Sequence, residues 1–330
     1  MKKAKIKFVD TYSKQKKYIL RLLGDQIEIE ESDEPDFLFY GVFGSGIEHF
    51  RNQDCVKIFM ASEGVIPDFN ECDYAVAEYP MQVGDRYFCK PYMSPAPTDN
   101  FELEEGKDYL NRKFCNFVYS NETNGRGALL RKEFCQKLME YKHVDCPGKV
   151  LNNMKDAIEP RSGNWFHGKL DFIKDYKFTI SFENIDTPGM VSEKIYNAFQ
   201  VRSVPIYWGP EDVNKIYNPK AFINCSGLSL DEMVRKVKEV DENDELYMEM
   251  LRQNPVNENF NLYWEQDLSK FLQSIILEDK KHFDKDPLGW DAGSKSAKEL
   301  LEIENTLYYK TRKTMQKAYH KISSALGKTD

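Results

Sequence analysis

Between residues 178 and 209 the chain spells out a complete strand, turn, helix and second strand. Phe178-Thr179-Ile180-Ser181-Phe182 alternates as a strand, and Asp186-Thr187-Pro188-Gly189 supplies turn residues. Val191, Ile195, Ala198 and Phe199 then recur at helical spacing across 190–201. Val204-Pro205-Ile206-Tyr207-Trp208 is the next apolar strand, closed by Gly209-Pro210. Strands joined through a helix in this way pair in parallel by a right-handed crossover. The helix therefore begins at the carboxyl end of the sheet, where open α/β sheets take their ligands.

The same alternation runs through the rest of the chain. Strands are expected at 5–9, 37–40, 56–60 and 74–76, with a helix at 16–23. A fresh strand at 114–119 leads through a loop at 121–127 into a helix at 128–141. Such alternation predicts mostly parallel sheets. The stretch Pro91-Tyr92-Met93-Ser94-Pro95-Ala96-Pro97, rich in proline and followed by acids as far as Gly106, reads as a connector. The length, 330 residues, is near two typical domains. We therefore expect an N-terminal domain at 1–110, a C-terminal domain at 111–285 and a tail at 286–330. The strand at 37–40 runs into Gly41-Val42-Phe43-Gly44-Ser45-Gly46, which lacks the GxGxxG spacing and reads as a tight turn rather than a nucleotide loop.

Charge and cysteine content remove several classes of function. A net charge of −8 gives no general support for nucleic-acid binding, which depends on phosphate attraction. The seven cysteines include no CxxC pair, which argues for reduced thiols and against a structural zinc site. No apolar run approaches the roughly 20 residues that span a bilayer, and no signal segment opens the chain, so a cytoplasmic protein is expected. HExxH, GxSxG and GxxxxGK[ST] are all missing. Asp284-Lys285-Asp286 has the DxD pattern of a metal site but precedes Pro287, away from any assignable strand end, and is set aside.

Anion binding has better support. The first turn of the 190–201 helix offers unpaired N–H groups and a positive dipole end, with Lys194 beside them. Glu193 could accept hydrogen bonds from sugar or ribose hydroxyls. The plainer alternative makes Glu193 a favourable first-turn acid and Lys194 a solvated side chain. Arg131, early in the 128–141 helix, is a forked, permanently charged phosphate clamp or, taken by itself, a surface arginine.

Phe182-Glu183-Asn184, Val191-Ser192-Glu193-Lys194-Ile195-Tyr196 and Val204-Pro205-Ile206-Tyr207-Trp208-Gly209, in this order and spacing, resemble the donor-binding signature of the α-1,3/4-fucosyltransferases, glycosyltransferase family 10. Ala61-Ser62-Glu63 through Pro67-Asp68-Phe69-Asn70 and Asp73-Tyr74-Ala75 is similar to the family segment carrying its catalytic carboxylate. Tyr119-Ser120-Asn121, with Arg131 downstream, looks like its further phosphate element. The resemblance implies an α/β GT-B architecture: two Rossmann-like domains facing a cleft, here with a C-terminal helical tail. GDP-fucose would be held by the C-terminal domain, through Ser120, Asn121, Arg131, Asn184, Glu193 and Lys194. An oligosaccharide acceptor would approach from the N-terminal one. It further implies inverting transfer with Glu63 as general base, Glu193 at the ribose or the developing cationic sugar, and no metal or other cofactor. Family members commonly carry tyrosine where this chain has Met190, which changes the donor contacts.

The rivals are a GT-B transferase using another nucleotide sugar, and a noncatalytic module that binds sugar nucleotide or membrane. From 297 to 326 apolar residues form a helical stripe opposite lysines. Such a tail packs on the body, contacts anionic lipid peripherally, or pairs into a homodimer.

Overall fold

The computed structural model describes residues 1–50, 53–61, 63–123, 125–154, 165–278, 280, 311, 314 and 315. The DxD and nearly all of the tail lie outside these residues.

Two parallel sheets divide the described chain. The first builds from β1 (Lys2–Val9), α1 (Ser13–Leu23), β2 (Ile27–Glu31), β3 (Phe37–Tyr40), α2 (Ile47–Phe50), β4 (Val56–Met60), β5 (Tyr74–Ala77) and β6 (Tyr87–Cys89). Its strand order is β2-β1-β3-β4-β5-β6. The second builds from β7 (Lys113–Asn116), α3 (Arg126–Tyr141), β8 (Val144–Asp145), α4 (Trp165–Ile173), β9 (Tyr176–Phe182), α5 (Glu193–Gln200), β10 (Val204–Trp208), α6 (Val213–Ile216) and β11 (Ile223–Asn224). Its order is β11-β10-β9-β7-β8. Every strand pair within the two sheets is parallel, and β9 runs beside β10 from Phe178 opposite Val204 to Phe182 opposite Trp208. Strands β3, β4, β5, β9 and β10 are buried along their whole length, the pattern expected where helices cover both faces. The charged strand β2, Ile27-Glu28-Ile29-Glu30-Glu31, gives a weak apolar signal because it is an edge strand.

Three helices close the described chain: α7 (Leu230–Asp241), α8 (Asp244–Arg252) and α9 (Trp264–Leu277). Ser229 and Glu232 form the capping box that opens α7. Helix α9 returns to the first sheet. Its buried face, Leu268, Leu272, Ile275 and Ile276, packs in one core with Ile19, Leu22 and Leu23 of α1. Burying four such side chains stabilises this docking by roughly 6–12 kcal/mol at most. The amide of Gln273 adds bonds to the carbonyls of Leu22 (3.0 Å) and Leu23 (3.2 Å), where α1 ends. The expected 111–285 unit thus reaches across to the first sheet at its end. Residues 264–277 pack in the core of the first sheet because their apolar face meets α1.

Candidate functional site

In each sheet the strand order reverses once, between β1 and β3 in the first and between β7 and β9 in the second. Loops leaving opposite sides of such a point diverge and open a crevice. In the first sheet the chain fills it. The Asp10 carboxylate accepts hydrogen bonds from the backbone N–H groups of Gly46 and Ile47, both at 2.8 Å. A Cβ on Gly44 would stand 2.2 Å from Asp10 Oδ1. The glycine run at 41–46 is therefore a turn, as expected, and it wraps an internal anion.

In the second sheet the crevice is open. A cavity of about 460 Å³ lies over the ends of β7 and β9 and the start of α5. Ser120 and Asn121 reach it from the loop after β7, Asn184 from the loop after β9, Arg131 from α3 and Glu193 and Lys194 from α5. Glu63 faces it from the first sheet, in the loop after β4. The structure thus brings every expected site residue to one cavity.

Arg131 is 1% exposed, so the surface-arginine reading fails. Its guanidinium lies 4.0 Å over the Tyr119 ring, donates to Asn184 Oδ1 at 2.7 Å and donates to the Asn121 carbonyl. Helix α3 is set in place by the Gly127 N–H, which donates to the Asn184 carbonyl at 2.9 Å. Burial pulls the Arg131 pKa below its usual value, while Tyr119 and Glu183 act against it. The charge is thus held in a dry wall by two side chains that line the same cavity.

Lys194 is not solvated either. Its Nζ donates to Glu183 Oε2 at 2.9 Å and to Ser192 Oγ at 2.8 Å. Glu183 also accepts from the Ser192 N–H (2.8 Å) and hydroxyl (2.6 Å), so that hydroxyl serves the carboxylate and does not cap α5. Burial pulls the Lys194 pKa down, but Glu183 and then Glu193 outweigh it and the net shift is upward. For Glu193 burial pushes up, and the charges of Lys194 and Lys169 outweigh it, so its carboxyl lies below the ordinary value. Both groups stay charged across the neutral range.

Three side chains carry roles that sequence reasoning did not assign. Glu183, counterion to Lys194, lies inside the quoted Phe182-Glu183-Asn184 motif. Lys169, buried on α4, gives no local signal, because its relevance arises only where α4 meets α5. Tyr92, read as connector, lines the cavity and faces Glu63, Glu193 and Glu78. Burial, followed by those carboxylates, pushes its phenol well above the usual range, so it keeps its proton. Met190 crosses to the first sheet, where a Cβ on Gly64 would meet its Cγ at 2.8 Å.

A second, larger cavity of about 650 Å³ adjoins on the side of the first sheet. Among the described residues Tyr92 lines both cavities. Its walls include Tyr12, Tyr18, Tyr263 and Trp264. No group of three or more His, Cys, Asp and Glu among the described residues is placed to hold a metal. No helix among them is long and apolar enough to cross a membrane.

Two family models match the chain. The α-(1,3)-fucosyltransferase FucT N-terminal domain model matches residues 5–94, and the C-terminal model of glycosyltransferase family 10 (fucosyltransferase) matches 101–270. The alpha-(1,3)-fucosyltransferase FucT of Helicobacter pylori is 27% identical over 292 residues, covering 76% of this chain and 59% of that protein. The 4-galactosyl-N-acetylglucosaminide 3-alpha-L-fucosyltransferase 9 of Mus musculus is 36% identical over 128 residues, 36% of each chain. The chain thus spans less than two thirds of the length of these relatives. A crystal structure of an alpha1,3-fucosyltransferase with GDP-fucose superposes with a TM-score of 0.66 at 23% identity, covering 86% of this chain and 94% of that one. That likeness shows the GT-B fold.

Proposed function

The chain belongs to glycosyltransferase family 10, the fucosyltransferases, and from that premise we propose that it transfers fucose from GDP-β-L-fucose to the 3-hydroxyl of GlcNAc in a lactosamine-type glycan, with inversion. One observation carries the reading. A single cavity is lined by Arg131, Lys194 and the first turn of α5 from the second sheet and by Glu63 from the loop after β4 of the first.

In this reading the diphosphate lies against the guanidinium, the ammonium and the helix start. Fixed positive groups there are worth most when the phosphate gains charge on leaving, since they need no reorganisation at that moment. Glu63 takes the proton of the acceptor hydroxyl. The acceptor oxygen bonds to the sugar C1 as the bond from C1 to the β-phosphate oxygen breaks, and GDP departs with the electron pair. A base and a leaving group on opposite faces give the α-glycoside from the β-linked donor. Glu193 has two roles open to it, ribose hydroxyl acceptor or stabiliser of the cationic sugar. The acceptor enters through the larger cavity, whose aromatic walls suit the apolar faces of pyranose rings.

Incubation with GDP-fucose and N-acetyllactosamine, read by NMR, should give an α-fucosylated product. Calorimetry should show GDP binding in preference to UDP and ADP. Activity should persist in excess EDTA, because Arg131, Lys194 and the dipole of α5 take the part a metal would play. Preference for another nucleotide would sink the donor assignment, and EDTA inactivation reversed by Mn²⁺ would sink metal independence.

A further inference from the structure

One side chain belongs to both cavities. Tyr92 is half-buried in the connector and, among the described residues, it alone lines the larger and the smaller cavity together. The chain pins it from both ends. On one side the Lys90 N–H donates to the Ala77 carbonyl at 2.9 Å, and Lys90 Nζ pairs with Glu78 just beyond β5. On the other, Ser94 Oγ accepts from Trp264 Nε1 at 3.0 Å. Pro91 and Pro95 fix φ at two positions of the same stretch. Tyr92 is thus held at the passage between the cavities by its backbone neighbours, which leaves its side chain uncommitted.

The Tyr92 hydroxyl has no hydrogen-bond partner among the described residues, yet it is not one of the sealed oxygens that Tyr207, Tyr217 and Tyr247 bury. The charges acting on it come from both sides: Glu63 and Glu193 line the smaller cavity, and Glu78 lines the larger. A carboxylate only accepts, so a protonated phenol among them is the group that can donate to an oxygen of a ligand. The same carboxylates repel a diphosphate, so the ligand surface that stands beside the phenol is a neutral sugar. The ring adds a flat face that suits a pyranose.

We propose that Tyr92 positions the acceptor: its hydroxyl donates a hydrogen bond to the acceptor sugar at the passage from the larger cavity to the smaller, turning the reacting hydroxyl toward Glu63. The inference rests on the fucosyltransferase reading, which sets acceptor and donor on the two sides of this residue. Reacting atoms must come within about 3–3.5 Å of each other, and two substrates in adjoining cavities do so only where the cavities join. A side chain pinned there in advance needs no rearrangement when the acceptor arrives.

The test is steady-state transfer from GDP-fucose to N-acetyllactosamine by wild type and Tyr92→Phe, with each substrate varied in turn. The acceptor KM should rise about 3–10-fold in the variant, the worth of one neutral hydrogen bond. The donor KM should keep its wild-type value, as should the calorimetric affinity for GDP. Neither KM depends on the fraction of enzyme that is folded, so a partly unfolded preparation still gives the comparison. If the variant turns over too slowly for kinetics, calorimetric titration with N-acetyllactosamine in the presence of GDP replaces the acceptor KM. An unchanged acceptor KM overturns the proposal. So does a rise in the donor KM alone, which would set Tyr92 on the transferred fucose, or a comparable rise in both, which marks a merely structural role. Absence of transfer by wild type overturns the proposed function and this inference with it, whereas the other outcomes leave that function standing.

Discussion

The two sheets share a topology and put it to opposite uses. Each reverses its strand order once and so opens a crevice at the carboxyl end of its strands. In the first sheet Asp10 occupies that crevice, bonded to two backbone N–H groups of the glycine loop. In the second, buried cations and a helix start surround about 460 Å³ of open cavity. The difference teaches that a Rossmann-like crevice is anion-binding by geometry, and that one carboxylate of the chain suffices to convert such a site into scaffold. The first sheet then contributes from a different strand end, β4, where Glu63 faces its neighbour's cavity.

The largest effect expected from this contrast is at Glu63. Glu63→Gln should lower kcat by about 10²–10⁴-fold while GDP affinity, which the proposed function assigns to the second sheet, stays near normal. Wild-type kcat in that variant would remove the first sheet from the chemistry. Next comes the plug. Asp10→Ala strands two charge-bonded N–H groups and should cost about 3 kcal/mol in urea unfolding. GDP stoichiometry should not change, and a second GDP bound per chain would show that the plug alone had kept the first crevice empty of nucleotide. Arg131→Ala and Lys194→Ala should each weaken GDP binding by about 10–100-fold and slow transfer with it. Unchanged calorimetric affinity in both would break the division of labour. For Lys194→Ala part of the change is loss of the counterion to Glu183, so Glu183→Gln should reproduce the stability loss with a smaller effect on GDP.

The smallest effect concerns pH. The folded pKa of Glu193 lies below its ordinary 4.5, so its contribution is present above 4.5 and is lost as pH falls through the lower folded value. The folded pKa of Lys194 lies above 10.5, so its contribution is present below 10.5 and is lost as pH rises through the higher folded value. Glu193 is about a third exposed, so solvent screens it and the stake is small. Urea midpoints of wild type and Glu193→Gln should therefore run parallel from pH 6 to pH 9 and converge only in acid. Divergence within that range would mean a perturbed carboxyl.

Much of the second sheet was legible because its signals are local. Strand, turn and helix at 178–208 follow one another within a single motif, and the residues quoted there stand at the site. Helix α5 starts at Glu193, later than the periodicity implies, because Gly189 at φ +84° still belongs to the turn. What the sequence concealed depends on distant pairs. Arg131 reads as a surface residue until Tyr119, Asn121 and Asn184 are placed around it. Lys169 and Tyr92 matter only through neighbours far along the chain, and the apolar face of α9 does not announce which domain it will cover.

The return of α9 has a mechanical meaning. The chain passes between the sheets twice, once through the connector at 91–112 and once through the segment before α9. The two passages touch, for Trp264 Nε1 donates to Ser94 Oγ at 3.0 Å. Two tethers that touch act as a pin, so a rotation of one sheet against the other would turn about that contact. The pin runs in the wall of the larger cavity, which both passages help to line. Tyr92, on the first passage, lines the smaller cavity as well, so a rotation about this contact would reshape both cavities together.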